Sequence, residues 1–402
     1  MGRRAALAVV VCFLVAPAAQ AAAPTLPARL AHALAVPHVA AAASGAIAVD
    51  LSSGETLFEH NADTPLLPAS NEKLCVTYAA LVELGPYYRF RTEVLGDGYQ
   101  DGHVWYGDLV LKGYGDPTLS SLQLARLAAQ LKEEGILRVT GRILGDESWF
   151  DARRIVAGWK PGYYLNESPP LSALAVDRDR YQGRLGILPA LSAAARFQEI
   201  LHARGIVAGA PATGRAAPGA FALASVDSDP LPDVLAFMDR ESDNFTAELL
   251  LKALGAEVGG AGTSAAGAAV VRRDLAAAGV PLGGVRVVDG SGLSRADRVT
   301  ARELAALLVL AWNDPDMHDA LWSALPIAGV NGTLDDRMLK TPARGIVRAK
   351  TGTTDVASAL SGYVADRYVF AVVQNGYPIA TWWARRAQDR FAETLAADAT
   401  AP

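Results

Sequence analysis

Gly345-Ile-Val-Arg-Ala-Lys350, Leu360-Ser-Gly-Tyr-Val364 and Tyr368-Val-Phe-Ala-Val-Val373 are three strand-like runs near the end of the chain. They are rich in the β-branched and aromatic residues that fit a pleated surface, and the last two are expected to form a hairpin. Near the other end, Gly45-Ala-Ile-Ala-Val-Asp50 and Thr56-Leu-Phe-Glu59 flank the turn Ser52-Ser53-Gly54, which predicts a second hairpin with one buried face. Between these ends lie Ala/Leu-rich helical patterns at residues 247–254, 262–279 and 300–312. An early hairpin joined to late strands, with helices between, predicts a mixed α/β domain built on antiparallel strands.

That domain is interrupted. Pro68-Ala-Ser70 opens a helix whose apolar stripe is Leu74, Tyr78 and Leu81 and which stops at Gly85-Pro86. From residue 90 to 181 the texture changes to short strands such as Asp108-Leu-Val-Leu-Lys112, one helix over 122–134, and loops rich in Gly, Tyr and Trp. Residues 206–232 are rich in Ala, Gly and Pro and read as the connection back. The expected organisation is a domain made of residues 23–87 and 206–402, carrying an insert at 88–205.

With 402 residues, 51% of them hydrophobic and 20% charged, the chain can bury more than one core, and intrinsic disorder is excluded. Its 37 basic and 42 acidic residues give a formal charge of -5, which leaves no basic footprint for nucleic acid. Arg3-Arg4, an apolar run over 5–15 and an Ala-x-Ala site before residue 22 predict a secretory signal over 1–22. The run is shorter than the roughly 20 residues that span a bilayer, so the mature chain is expected to be periplasmic or secreted with no integral membrane segment. Cys12 falls within that signal. Cys75 is then the sole cysteine and is expected to be a small buried helix residue.

Three short motifs occur in order: Ser70-Asn-Glu-Lys73, Ser242-Asp-Asn244 and Lys350-Thr-Gly-Thr-Thr354. Each alone is weak, but their ordered occurrence by chance is below about 1 in 100. At i and i+3 of a helix, Ser70 and Lys73 share a face, so the amine can take the hydroxyl proton if its pKa is lowered. A buried site with another cation nearby would lower it, Lys350 is the natural second cation, and Gly352 on the same strand lets a substrate backbone lie close. Ser242 can relay a proton to a leaving amine, and Asn244 can hold the substrate's peptide. The backbone N–H groups of Ser70 and Thr353 are expected to form an oxyanion hole.

These motifs, with Gly107-Asp-Leu-Val-Leu-Lys-Gly-Tyr-Gly-Asp-Pro-Thr-Leu119, Gly158-Trp159, Asp289-Gly-Ser-Gly-Leu-Ser-Arg295, Leu325-Pro-Ile-Ala-Gly329 and Leu360-Ser-Gly-Tyr363, resemble the class C low-molecular-mass penicillin-binding proteins across nearly the whole mature chain. The resemblance implies a β-lactamase/transpeptidase-like α/β fold with an inserted smaller domain. It also implies a serine D-alanyl-D-alanine carboxypeptidase acting on peptidoglycan stem peptides, with cross-link endopeptidase activity open beside it, and covalent inhibition by β-lactams. No cofactor or metal is implied. Thr351 and Thr353 would receive the substrate's terminal carboxylate, and Arg295 would help grip a diaminopimelate side chain.

The sequence departs from the family in two places. Ser70 and Ser242 are 172 residues apart, less than in the family's usual members, because Tyr181-Gln-Gly-Arg-Leu-Gly-Ile runs almost directly into a helix near Leu191. One subdomain is therefore expected to be rudimentary. Tyr163 stands where the family has an acidic residue, with Glu167 nearby, so a preference for a free diaminopimelate end does not follow. Glu167-Ser-Pro-Pro-Leu-Ser also departs from the Glu-x-x-Leu-Asn deacylation loop of β-lactamases, so a β-lactam adduct is expected to persist. A β-lactamase and a non-catalytic wall-binding protein are the alternatives.

Other chemistries find little support. The six histidines show no metal-ligand spacing, and Gly260-Ala-Gly262 lacks the preceding strand that a dinucleotide site needs. Asp116 before Pro117 reads as a turn residue.

Overall fold

The computed structural model describes Gly2 and residues 24–401; apart from Gly2, the expected signal segment, Cys12 included, lies outside the described residues. In chain order the principal elements are α1 (Leu26–Leu34), β1 (Ser44–Asp50), β2 (Thr56–His60), α2 (Glu72–Leu84), β3 (Arg91–Gly96), β4 (Leu109–Gly113), α3 (Ser121–Glu133), β5 (Ile143–Asp146), α4 (Pro189–Ala203), β6 (Pro211–Thr213) and β7 (Phe221–Asp227). There follow α5 (Leu231–Arg240), α6 (Asn244–Glu257), α7 (Ser264–Ala277), α8 (Ala301–Asn313), α9 (His318–Ala324), β8 (Val347–Thr353), β9 (Ala357–Val364), β10 (Tyr368–Asn375) and α10 (Thr381–Ala399).

The first and last strands form one antiparallel sheet in the order β8-β9-β10-β1-β2. Side chains alternate across it. Ile47, Val49, Ala359, Tyr363, Val369, Ala371 and Val373 face a core shared with α2 and α5–α9. Ala46, Ala48, Leu360, Val364, Tyr368, Phe370 and Val372 face a second core closed by α1 and α10. Burial on both faces explains why these strands read as continuous apolar runs rather than alternating ones. No helix of the described residues is long and apolar enough to cross a membrane.

Local chemistry sets the helix ends. Capping boxes open α3 at Ser120/Gln123 and α8 at Thr300/Glu303. Gly85, at φ +75°, ends α2 with a backbone conformation that a side chain disfavours. Cys75 is a buried residue of α2, as its setting predicts.

The second sheet runs β6-β5-β4-β3-β7, with β6, β5 and β4 parallel and the remaining pairs antiparallel. Helices α3 and α4 cover one face with Leu124, Leu127, Leu131, Phe197 and Leu201. This sheet corrects the expected return at residue 206. Strands β6 and β7 belong to the insert, and the chain rejoins the first domain only at α5. Both are edge strands, bonded on one side and largely exposed on the other, so their sequence carries no clean apolar alternation. The insert is also not a unit apart. Phe150, Val156, Leu171, Ala173 and Ala175 pack in the first domain's core, which lays the 150–175 segment over that domain. After Val176 the chain makes a short 3-10 turn, Asp177–Asp179, and a hairpin of two-residue strands, Arg180–Tyr181 with Arg184–Leu185, before α4.

Candidate active site

The three motifs meet in one cleft of about 250 Å³, lined by Ser70, Glu167, Ser242, Asn244, Leu293, Thr333, Arg337, Thr351, Thr353 and Arg385. Ser70 lies in a tight turn, Ala69–Asn71, immediately before α2 rather than inside it. Lys73 follows in the first turn of α2. Ser242 sits in the link between α5 and α6 at φ +56°, a strained conformation for a side-chain-bearing residue, and Asn244 opens α6. Asp243 caps that helix by accepting from Thr246 N at 2.8 Å. Lys350 comes from β8, the edge strand of the first sheet.

Lys73 is fully buried, and its ammonium is the hub. Nζ donates to Ser70 Oγ at 3.0 Å, Asn244 Oδ1 at 2.8 Å and the backbone oxygen of Ser291 at 2.8 Å. Lys350, equally buried, donates to Ser242 Oγ and to Thr351 O, each at 2.9 Å. Two serine hydroxyls are thus each paired with a buried amine.

Burial sets the charge state of both. Loss of water pulls the Lys73 ammonium down to about 8, against the opposing pull of Asp289, Asp243, Glu248 and Asp239. Lys350 falls to about 7, first through burial and then through repulsion from Lys73, with Asp239 opposing. Sequence reasoning expects a buried site with a second cation nearby to lower Lys73, and burial is the leading cause at both lysines. Beneath the pair, burial pushes the carboxyls of Glu248 and Glu303 up to about 8 and holds Glu72 well above the usual carboxylate range.

Two close approaches fix the turn that carries Ser70. A Cβ on Gly352 would lie 3.0 Å from both Pro68 O and Ser70 N and would press on the backbone of the turn. Asn71 Nδ2 donates to Lys350 O at 3.1 Å and ties turn to strand. On the other side, a Cβ on Gly292 would sit 1.8 Å from Ala69 O, and Gly292 is at φ +79°. Gly292→Ala is therefore expected to lower stability by about 2–3 kcal/mol and to slow any reaction at Ser70 more than tenfold. Thermal unfolding beside active-serine labelling checks it; a variant with wild-type values in both would show the Ser70 turn to be independent of this contact.

Thr354 N donates to Ala357 O, and Lys350 and Gly352 share that side of the β8–β9 ladder. Thr351 and Thr353 therefore turn their N–H groups to the sheet's free edge. Thr351 Oγ1 shares a hydrogen bond of 2.7 Å with Thr333 Oγ1, and Arg385 Nη2 donates to Thr353 Oγ1 at 3.3 Å.

Arg295 is the candidate that the structure does not bring into the cleft. It pairs with Asp355 at 2.9 Å, a carboxylate shared with Lys160, and lies over the Tyr377 ring. Tyr163 packs near the Lys160 ammonium. Glu167 lines the cleft, and its backbone oxygen accepts from Asn244 Nδ2 at 3.0 Å. Asp116 is a buried turn residue that accepts from Thr118 N at 2.8 Å and Thr118 Oγ1 at 2.7 Å, as read. Sequence reasoning missed Ser291, Thr333, Arg337 and Arg385. None has a motif of its own; the Asp289-Gly-Ser-Gly turn was visible, but not that it delivers a carbonyl to Lys73.

Comparison with known proteins places this geometry. The D-Ala-D-Ala carboxypeptidase 3 (S13) family matches residues 26–187 and 187–397, two segments that meet just after the short 180–185 hairpin. A D-alanyl-D-alanine carboxypeptidase of Actinomadura sp. (strain R39) is 32% identical over an alignment of 430 residues, covering 85% of this chain and 79% of the relative. The crystal structure of penicillin binding protein 4 from Haemophilus influenzae, also solved with a β-lactam, superposes with a TM-score of 0.81 at 24% identity, covering 92% of this chain and 98% of that one. A predatory endopeptidase of Bdellovibrio bacteriovorus shares the fold at a TM-score of 0.59 and 18% identity, covering 87% of this chain and 91% of that one.

Proposed function

Since this chain belongs to the D-Ala-D-Ala carboxypeptidase 3 (S13) family and is a serine carboxypeptidase, we propose that it is exported and removes the terminal D-alanine of peptidoglycan stem peptides through an acyl-enzyme on Ser70. The observation that carries this reading is the 3.0 Å contact between Ser70 Oγ and the buried Lys73 amine, whose hold on its proton burial weakens.

In the proposed sequence neutral Lys73 takes the Ser70 proton as Oγ attacks the carbonyl carbon between the two D-alanines. The N–H groups of Ser70 and Thr353 receive the developing oxyanion. The C–N bond then breaks, the proton that Lys73 accepted is relayed through Ser242, which Lys350 orients, to the leaving amine, and D-alanine departs with Lys73 neutral again. Water then attacks the ester, giving a proton to Lys73, which passes it to the departing Ser70 Oγ. A β-lactam ring opens by the same attack, but its leaving amine stays tethered, so the adduct is expected to outlast the peptide's. Cleavage of a D-alanine to diaminopimelate cross-link follows the same steps with a larger leaving group.

The test is intact-mass spectrometry of the mature protein after incubation with benzylpenicillin, followed by assay of D-alanine release from a D-Ala-D-Ala peptide. A persistent adduct with D-alanine release is expected. A short-lived adduct without release would favour the β-lactamase, and the absence of any adduct a wall-binding protein.

A further inference from the structure

A neutral Lys73 amine has two protons and one lone pair, and only the lone pair can take the Ser70 proton. Asn244 Oδ1 and Ser291 O, each 2.8 Å from Nζ, are carbonyl oxygens that accept and never donate. Together they claim both amine protons and leave the lone pair for Ser70 Oγ. The base is aimed only while both acceptors stay in place. Asn244 is fixed by α6 and by its own bond to Glu167 O. Ser291 lies in an irregular turn, and what fixes it comes from outside the three motifs.

Glu248, fully buried on α6, accepts from Ser291 N at 2.8 Å and from Gly290 N at 3.1 Å, both on Oε1. It stands four residues after Asn244, so the two side chains share a face, and one face of α6 sets both acceptors of the Lys73 amine. The turn also rests directly on this helix: a Cβ on Gly290 would lie 2.5 Å from Ala247 O. Asp289 closes the turn from within, accepting from Gly292 N and Ser294 N at 2.7 Å each, whereas Glu248 ties it to the helix that carries Asn244. Glu248 Oε2 has no hydrogen-bond partner among the described residues. A carboxyl buried with one oxygen unmet lowers stability, so what the fold gains at Glu248 is the pair of amides held by its other oxygen.

We propose that Glu248 is a positioning residue of the reaction: by holding the Gly290 and Ser291 amides it keeps the Ser291 carbonyl on Lys73 and so points the lone pair of the base at Ser70. This rests on the acyl-enzyme reading above and adds a residue that lies outside the cleft lining and outside the three motifs.

The test compares wild type with Glu248→Ala, Glu248→Gln and Glu248→Asp for kcat and KM on a D-Ala-D-Ala peptide and for the rate of acylation by benzylpenicillin, each expressed per active serine, with thermal unfolding alongside. Gln keeps the length and an acceptor oxygen without the charge. Asp keeps the charge but is one methylene too short to hold both amides. Glu248→Ala and Glu248→Asp should therefore lose about 10- to 100-fold in kcat and in acylation rate with KM within about threefold of wild type, and Glu248→Gln should recover most of that loss. The reverse order, with Asp near wild type and Gln as slow as Ala, would assign the effect to charge and overturn the proposal. Variants that melt lower yet acylate at the wild-type rate per active serine would make Glu248 purely structural and overturn it equally. If Glu248→Ala does not fold, the order of Gln and Asp decides alone. A wild type that forms no penicillin adduct and releases no D-alanine would instead refute the acyl-enzyme reading itself.

Discussion

Replacing Ser70 by alanine is expected to abolish both the benzylpenicillin adduct and D-alanine release, with turnover falling at least about 10,000-fold. The fold should survive. Ser70 is partly exposed on the cleft side, and its Oγ accepts one of three hydrogen bonds from Lys73, so Asn244 Oδ1 and Ser291 O still hold the amine. Intact mass and peptide turnover, measured beside the melting temperature, read these expectations separately. A residual adduct of undiminished yield would move the nucleophile elsewhere in the cleft, Ser242 being the other serine paired with a buried lysine.

Lys73→Met carries the second large effect. A neutral side chain of similar length removes the base, and acylation is expected to slow about 1,000-fold or more. It also leaves Asn244 Oδ1 and Ser291 O without their buried donor, so a stability loss of about 1–3 kcal/mol accompanies it. The pH profile separates the two consequences. The active form needs Lys73 neutral, a fraction that grows as pH rises through about 8, and Lys350 charged, a fraction that shrinks as pH rises through about 7. Wild-type kcat/KM should therefore be bell-shaped with its maximum between about pH 7 and 8, its limbs belonging to the lysine pair. In Lys73→Met the ascending limb should vanish from whatever acylation remains; its persistence would assign the base to another group.

Much of this was legible because it is local. The i, i+3 spacing of Ser70 and Lys73, the stop at Gly85 and the buried setting of Cys75 all follow from the chain's own geometry over a turn or two. The strands at 345–373 announced themselves because both faces of their sheet are buried. The same logic explains the main error. Strands β6 and β7 sit at sheet edges with one side in water, and an Ala/Gly/Pro-rich edge strand looks like a linker. Arg295 illustrates a different limit: its neighbour Asp355 lies 60 residues away, and nothing in the Gly-Ser loop that carries Arg295 signals that partner.

The sequence by itself determined the family, the α/β architecture with an insert and the identity of the motif residues, because periodicity, caps and motif spacing are properties of short segments. Only the tertiary structure decided which groups meet. Lys73 reaches Asn244 across 171 residues because α2 packs against α6, and Asn71 reaches the Lys350 carbonyl across 279 because the first and last strands close one sheet. It also decided the charge states, since the depression of both lysines comes from the removal of water, and that depends on everything packed around them. The guanidinium at Thr353 belongs to the same category: α10 brings Arg385 there by packing on the sheet's far face, a placement that no local pattern encodes.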